Sequence, residues 1–125
     1  MRRSDQRRDA VFVNYQRDVT GRQLEELLGE ARPLTRELAE GVDHHREELD
    51  DVIADHAKGW TVDRIAPLDM NVMRTALYEM EFTETPAEVA INEAVELAKE
   101  YCGAEAPKFI NGILGAVARE REPAK

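Results

Sequence analysis

Cysteine occurs once in this sequence, at Cys102, so an internal disulfide is excluded. No apolar run approaches the ~18 residues that a membrane-spanning helix needs. Arginines stand near the N-terminus, but no apolar segment follows them, so a secretory signal is not expected. Phosphate-cradling glycine loops, dinucleotide-binding glycine turns and nucleophile elbows are missing as well, which leaves no motif that argues for catalysis or a cofactor. Strand-like alternation, low-complexity tracts and internal repeats are also lacking. These absences point to a soluble cytoplasmic protein that binds rather than catalyses.

What the chain does have is helical periodicity. Its composition is 42% hydrophobic and 34% charged, the balance of amphipathic helices with solvated outer faces. The clearest pattern spans residues 90–114. Ala87, Ala90, Ile91, Ala94, Ala98 and Tyr101 fall at three- and four-residue spacings, and Ile110, Ile113, Leu114, Val117 and Ala118 repeat the rhythm. Gly103 and Pro107 lie between them, a helix terminator and a first-turn residue. Ile91, Ala94, Ile110, Ile113 and Leu114 are therefore expected in the core.

Elsewhere the spacing predicts a helix over residues 4–19, with Asn14 on its inward side where an apolar residue would be expected. A buried amide without a partner costs about 1–3 kcal/mol. Thr20 and Gln23 have capping-box spacing before a short helix that turns Leu24, Leu27, Leu28 and Ala31 inward. Pro33 opens a helix predicted to run to Ala57, closed by Lys58 and a left-handed Gly59, with Trp60 plugging a corner of the core. Thr61 caps a single turn, and Pro67 starts a helix to Phe82 that is apolar on several sides, as a central helix is. Thr85 and Glu88 offer another capping box, with a start nearer Ile91 as the alternative. Residues 121–125 are expected to be loose. The fold class expected is all-α, six or seven helices, in a single domain covering residues 1–125.

Charge is unevenly distributed. The net charge is −9, yet residues 1–8 carry +3 from Arg2, Arg3, Arg7 and Arg8 against Asp5, leaving −12 on the other 117 residues. A basic arm precedes a helix bearing Tyr15, and Lys108 and Phe109 open the last helix. Arginine neutralises phosphates and aromatic rings stack on unpaired bases; Asn111 has an amide that can read a base edge. These residues favour a single-stranded RNA binder over a purely protein-binding helical module, and both readings stand at this level. A metal site is not expected. His44 and His45 sit beside Asp43, Glu47 and Glu48, but adjacent positions on a helix diverge, and His45 and His56 are about three turns, ~16 Å, apart. Cys102 lacks a neighbouring cation or histidine to activate it.

The run WTVDRIAPLDMNVMRTALYEM, then PAEVAINEAVELAKEYCG, then KFINGIL, resembles the bacterial NusB antitermination family; ELAEGVDHHREELDDVI and RRDAVFVNYQRD match more loosely. The matches cover most of the chain in order. The resemblance implies an all-helical fold of two packed subdomains and no enzymatic activity. It implies pairing with NusE, a small-subunit ribosomal protein, and joint binding of the boxA element of ribosomal RNA leader transcripts. The assembly then helps RNA polymerase pass terminators. RNA-facing positions would be Arg2, Arg3, Arg7, Arg8, Tyr15, Lys108, Phe109 and Asn111. NusE-facing acids would be Asp63 and Asp69, flanking Ile65 and Leu68. Asn14 departs from the leucine usual in the family, Ala106 from a capping serine, and Met70 from a basic residue; the chain is also short between Gly29 and Pro33. Two other readings stand beside this one: Asn14 and the acidic body suit a protein-interaction module that has lost RNA binding, and the resemblance also allows an accessory domain of an RNA methyltransferase. Whether the chain is a monomer or, like some relatives, a homodimer is left open.

Overall fold

The structure is a computed structural model and describes residues 2–59 and 61–121. Seven α-helices fill it: α1 Arg3–Thr20, α2 Leu24–Leu28, α3 Pro33–His44, α4 Arg46–His56, α5 Pro67–Phe82, α6 Ala87–Tyr101 and α7 Ala106–Glu120. A 3-10 turn, Val62–Arg64, lies between α4 and α5. No described helix is long and apolar enough to cross a membrane.

The central role expected of α5 holds. Every residue from Met70 to Leu77 is buried, and α1, α3, α4, α6 and α7 all pack against it. The apolar residues form two clusters. The larger joins Leu49 and Ile53 of α4, Met73 and Leu77 of α5, the alanine stripe of α6, and Ile110, Ile113, Leu114 and Val117 of α7. The smaller joins Ala10, Leu28, Leu38 and Ala39. Val11 belongs to the first and Ala10 to the second, so α1 is the shared wall of two packed subdomains. Truncating one of the large side chains in the bigger cluster to alanine costs about 2–5 kcal/mol.

Polar pairs clamp α1 onto α5 at both ends. Near one end, Arg7 meets Glu79; near the other, Asp18 accepts from Asn71 Nδ2 at 2.9 Å and from Arg74 Nη1 at 2.9 Å. The two helices are therefore antiparallel. Asn14, between these clamps, is 3% exposed, and its Nδ2 donates to the Ala39 carbonyl at 3.4 Å. That long bond satisfies the amide, which makes Asn14 a strut between α1 and α3.

Several local expectations are corrected. The helix predicted over residues 33–57 is two helices, divided at His45 (φ −104°, ψ 17°). The reason is tertiary: α3 lies against α1 and α5, whereas α4 reaches α7, and one straight helix cannot cover both. Neither capping box forms. Thr20 closes α1 instead, its Oγ1 donating to the Gln16 carbonyl while Gly21 takes the left-handed cap at φ 74°. Thr85 pairs with Thr83, and α6 starts after Pro86 without a side-chain cap. Gly103 does not end α6 by a left-handed turn; the chain goes extended at Cys102 (φ −106°, ψ 175°). Gly59 is left-handed as expected, at φ 79°. Of the expected core, Ala94, Ile110, Ile113 and Leu114 are buried and Ile91 is half-buried. Arg121 is held by an ion pair to Glu81 rather than loose. Trp60 and the remainder of the predicted tail lie outside the described residues.

Candidate nucleic-acid and partner interface

The basic arm is part of α1, not an extension before it, because the helix begins at Arg3. Helical placement separates its arginines by role. Arg7 faces inward and is 6% exposed; its Nε donates to Glu79 Oε1 at 2.6 Å and its Nη2 to Glu79 Oε2 at 3.1 Å. Glu93 of α6 adds a second acid at 3.6 Å. The bond to Glu79 raises the Arg7 pKa further, against the opposing effect of burial. Arg7 was expected to face RNA. It is instead a buried anchor, because its fork is already filled by carboxylates.

The other arginines reach solvent. Arg2 is exposed and lies 3.5 Å from Asp5. Arg8 donates to Asp9 Oδ1 through Nε and Nη2, each at 3.1 Å, and to Asp5 Oδ1 at 3.3 Å. The Asp9 hydrogen bonds raise its pKa most. Arg3 is exposed and forms no ion pair among the described residues. Arg2 and Arg8 also line a cavity of about 390 Å³ with Glu93, Glu96 and Glu100 of α6. Acids therefore temper the positive field of this end of the molecule.

Tyr15 is half-buried seven residues beyond Arg8, on the same face and ~10 Å along α1. Arg3 is twelve residues from Tyr15, ~18 Å, so the arm and the ring do not form one compact pocket. A residue placed on the apolar stripe by its spacing extends the face. Tyr101, last in α6, is 39% exposed, and its ring stands edge-on to Phe12 with centroids 4.9 Å apart. The signal that could have found Tyr101 was its position directly before the Cys102-Gly103 break, where a helix stripe runs out of partners.

At the start of α7, Pro107 occupies the first turn as expected. Lys108 and Asn111 are exposed, and Phe109 is half-buried against the larger core cluster. Phe109 also lines a cavity of about 260 Å³ with Arg64, Ile65, Ala66, Asp69, Glu105 and Ala106. Asp69 thus shares an opening with Phe109, while Asp63 is exposed on the 3-10 turn next to it. Between them Ile65 is buried and Leu68 half-buried. Cys102 ties the α6–α7 hinge to the same corner. Burial, then its hydrogen bond to Asp69, pushes the thiol up to about 12, so it stays protonated at neutral pH.

Among the described residues no group of histidine, cysteine and acidic side chains gathers into a metal site. What the surface offers is cations, aromatic rings, an amide and an acidic corner on a helical frame, which defines a binding module of the all-α class. The NusB family model matches residues 2–119. The chain belongs to the NusB family. It is 44% identical over 122 residues to the transcription antitermination protein NusB of Rubrobacter xylanophilus, covering 91% of this chain and 88% of that one. Against the protein of the same name from Halalkalibacterium halodurans it is 40% identical over 131 residues, covering 98% of each. A solved structure of T. maritima NusB superposes with a TM-score of 0.88 at 30% identity, covering 98% of this chain and 94% of that one. A crystal structure of antitermination factors NusB and NusE in complex with dsRNA gives 0.84 at 26% identity, covering 94% and 96%.

Proposed function

We propose that this protein is a cytoplasmic transcription antitermination factor that binds boxA-type RNA together with NusE and supports RNA polymerase in passing terminators. Residues 1–125 act as one RNA-binding helical domain in this reading, without catalysis. The observation that carries it is the cavity shared by Phe109 and Asp69, where the expected RNA-facing and partner-facing residues meet. The exposed cations Arg2, Arg3 and Lys108 and the half-buried Arg8 neutralise phosphates, Tyr15, Tyr101 and Phe109 supply stacking rings, and Asn111 supplies an amide. Arg7 acts through the fold alone.

Asp63 and Asp69 suit a basic ribosomal protein, because complementary charge steers association and fixes register. RNA binding by this chain alone is weak in this reading, since Arg2 and Arg8 are already engaged by Asp5 and Asp9. NusE adds both charge and surface. The test is binding of a boxA-type oligonucleotide with and without NusE across a salt series. The expected result is tighter binding with NusE and a log–log salt slope of about −0.7 per phosphate contacted. RNA that stays unbound while NusE is captured would overturn this reading in favour of a protein-interaction module.

A further inference from the structure

A largely acidic surface lies at the opposite end of α5 from Asp69, around Tyr78. Tyr78 is nine residues from Asp69, ~14 Å along the helix. It lines an open groove of about 540 Å³ with Glu37, Glu40, Asp43, His44 and His45. Gly41 sets how closely Tyr78 approaches: a Cβ there would overlap the ring, so only a bare backbone lets that ring lie against α3. The division between α3 and α4 contributes the other wall. His45 stacks on Phe82 with centroids 3.9 Å apart and planes 17° off parallel, and His44 stands edge-on to His45 at 4.8 Å. Phe82 itself is 43% exposed, a large ring left at the surface.

The rim is acidic, and part of it is uncommitted. Glu40 pairs with Arg36 and Asp43 with Arg17. Glu37 is exposed and forms no ion pair among the described residues. Glu37 lies close enough to Tyr78 that its charge, after burial, helps raise the phenol pKa. An aromatic wall beside a free carboxylate is the arrangement that holds a planar cation: the ring face attracts the guanidinium and the carboxylate accepts its N–H groups. Phosphate groups are repelled by the same rim, so an RNA occupant does not fit.

We infer that this groove docks an arginine side chain from a basic polypeptide partner, at a surface separate from Asp63 and Asp69. Arginine is favoured over lysine because its flat fork stacks and bonds at once. The partner enters as an extended or loop segment carrying that arginine over the junction of α3, α4 and the C-terminal turn of α5.

The experiment uses the whole protein and fluorescently labelled hexa-arginine and hexa-lysine peptides, read by anisotropy at low ionic strength. Hexa-arginine is expected to bind more tightly than hexa-lysine. Glu37→Gln should weaken hexa-arginine binding about fivefold, whereas Glu88→Gln, the same charge change on exposed α6, should leave it unaltered. Tyr78→Leu should narrow the gap between the two peptides; its melting curve is checked first, and Glu37→Gln carries the test if that variant is unfolded. Equal loss in Glu37→Gln and Glu88→Gln would mean generic attraction to an acidic protein and overturn the inference. So would equal affinity for the two peptides.

Discussion

Arg7 and Glu79 form a two-bond ion pair closed between α1 and α5, with only 8% and 2% of the two side chains exposed. The arginine nominally belongs to a basic arm, yet both of its ends are spent on the protein itself.

Removing Arg7 therefore tests the fold rather than the RNA surface. Arg7→Met strands a buried carboxylate and should destabilise by about 3–5 kcal/mol in urea denaturation. The double variant Arg7→Met/Glu79→Leu replaces the pair by apolar packing and should recover most of that loss. With the fold restored, RNA affinity should remain within about twofold of the parent. A folded double variant that has lost RNA binding would instead make Arg7 a direct contact.

Gly41 and Tyr78 give a second test of packing. Gly41→Ala must push the Tyr78 ring off α3, and that ring packs on both core clusters. The overlap outweighs the small helix-propensity gain of alanine, so a net loss of about 1–3 kcal/mol is expected in thermal or urea melts. Gly112→Ala serves as the contrast. Nothing lies within 4 Å of a Cβ there, and the change should stabilise by about 0.5–1 kcal/mol.

His56 joins α4 to the end of α7. Its Nδ1 donates to the Val52 carbonyl at 2.7 Å, and Nε2 lies 2.9 Å from Glu120 Oε2. The carbonyl bond, with burial opposing and Glu120 assisting, raises the histidine above 6.5. A raised pKa means the folded state binds the proton more tightly than the unfolded one. The stabilisation is thus complete below about 6.5 and disappears as pH climbs through the folded value. Denaturation at a series of pH values should show this decline, and His56→Gln should flatten it. A decline of the same size in His56→Gln would assign it to another group.

Much of this fold is legible in the sequence because apolar spacing is a local property. The stripes of α6 and α7 and the all-round burial of α5 follow from it, and Pro107 and Gly59 act where local chemistry puts them. What the spacing conceals is pairing across the chain. Arg7 looks like Arg8 in sequence, and only Glu79, 72 residues away, makes one an anchor and leaves the other at the surface. The break at His45 is equally non-local, since residues 33–57 keep one helical rhythm throughout and the division is imposed by what each half covers. Threonine caps fail for a nearer reason: Thr20 Oγ1 donates to the Gln16 carbonyl and accepts from the Arg22 amide, and Thr85 Oγ1 accepts from Thr83 Oγ1. Residue chemistry favoured RNA, and family resemblance added the boxA element and the NusE role, which no spacing rule supplies.

Tyr101 tests how far the RNA-facing surface extends. Its periodic position reads as core, but the helix ends there and the ring is left exposed beside Phe12 and close to Arg8. A ring that stacks on a base contributes about 1–3 kcal/mol, so Tyr101→Ala should weaken binding of boxA-type RNA by that amount and Tyr101→Phe by little. Lys108→Ala should act differently, lowering affinity across RNA sequences and reducing the salt slope by about 0.7. The two variants thus separate stacking from phosphate neutralisation at one end of the molecule. Melting curves must accompany them, because losing the edge-on contact with Phe12 removes about 0.5–1.5 kcal/mol of stability on its own. If folded Tyr101→Ala binds RNA like the parent while Tyr15→Ala does not, base stacking is confined to α1, and the end of α6 serves only to brace Phe12.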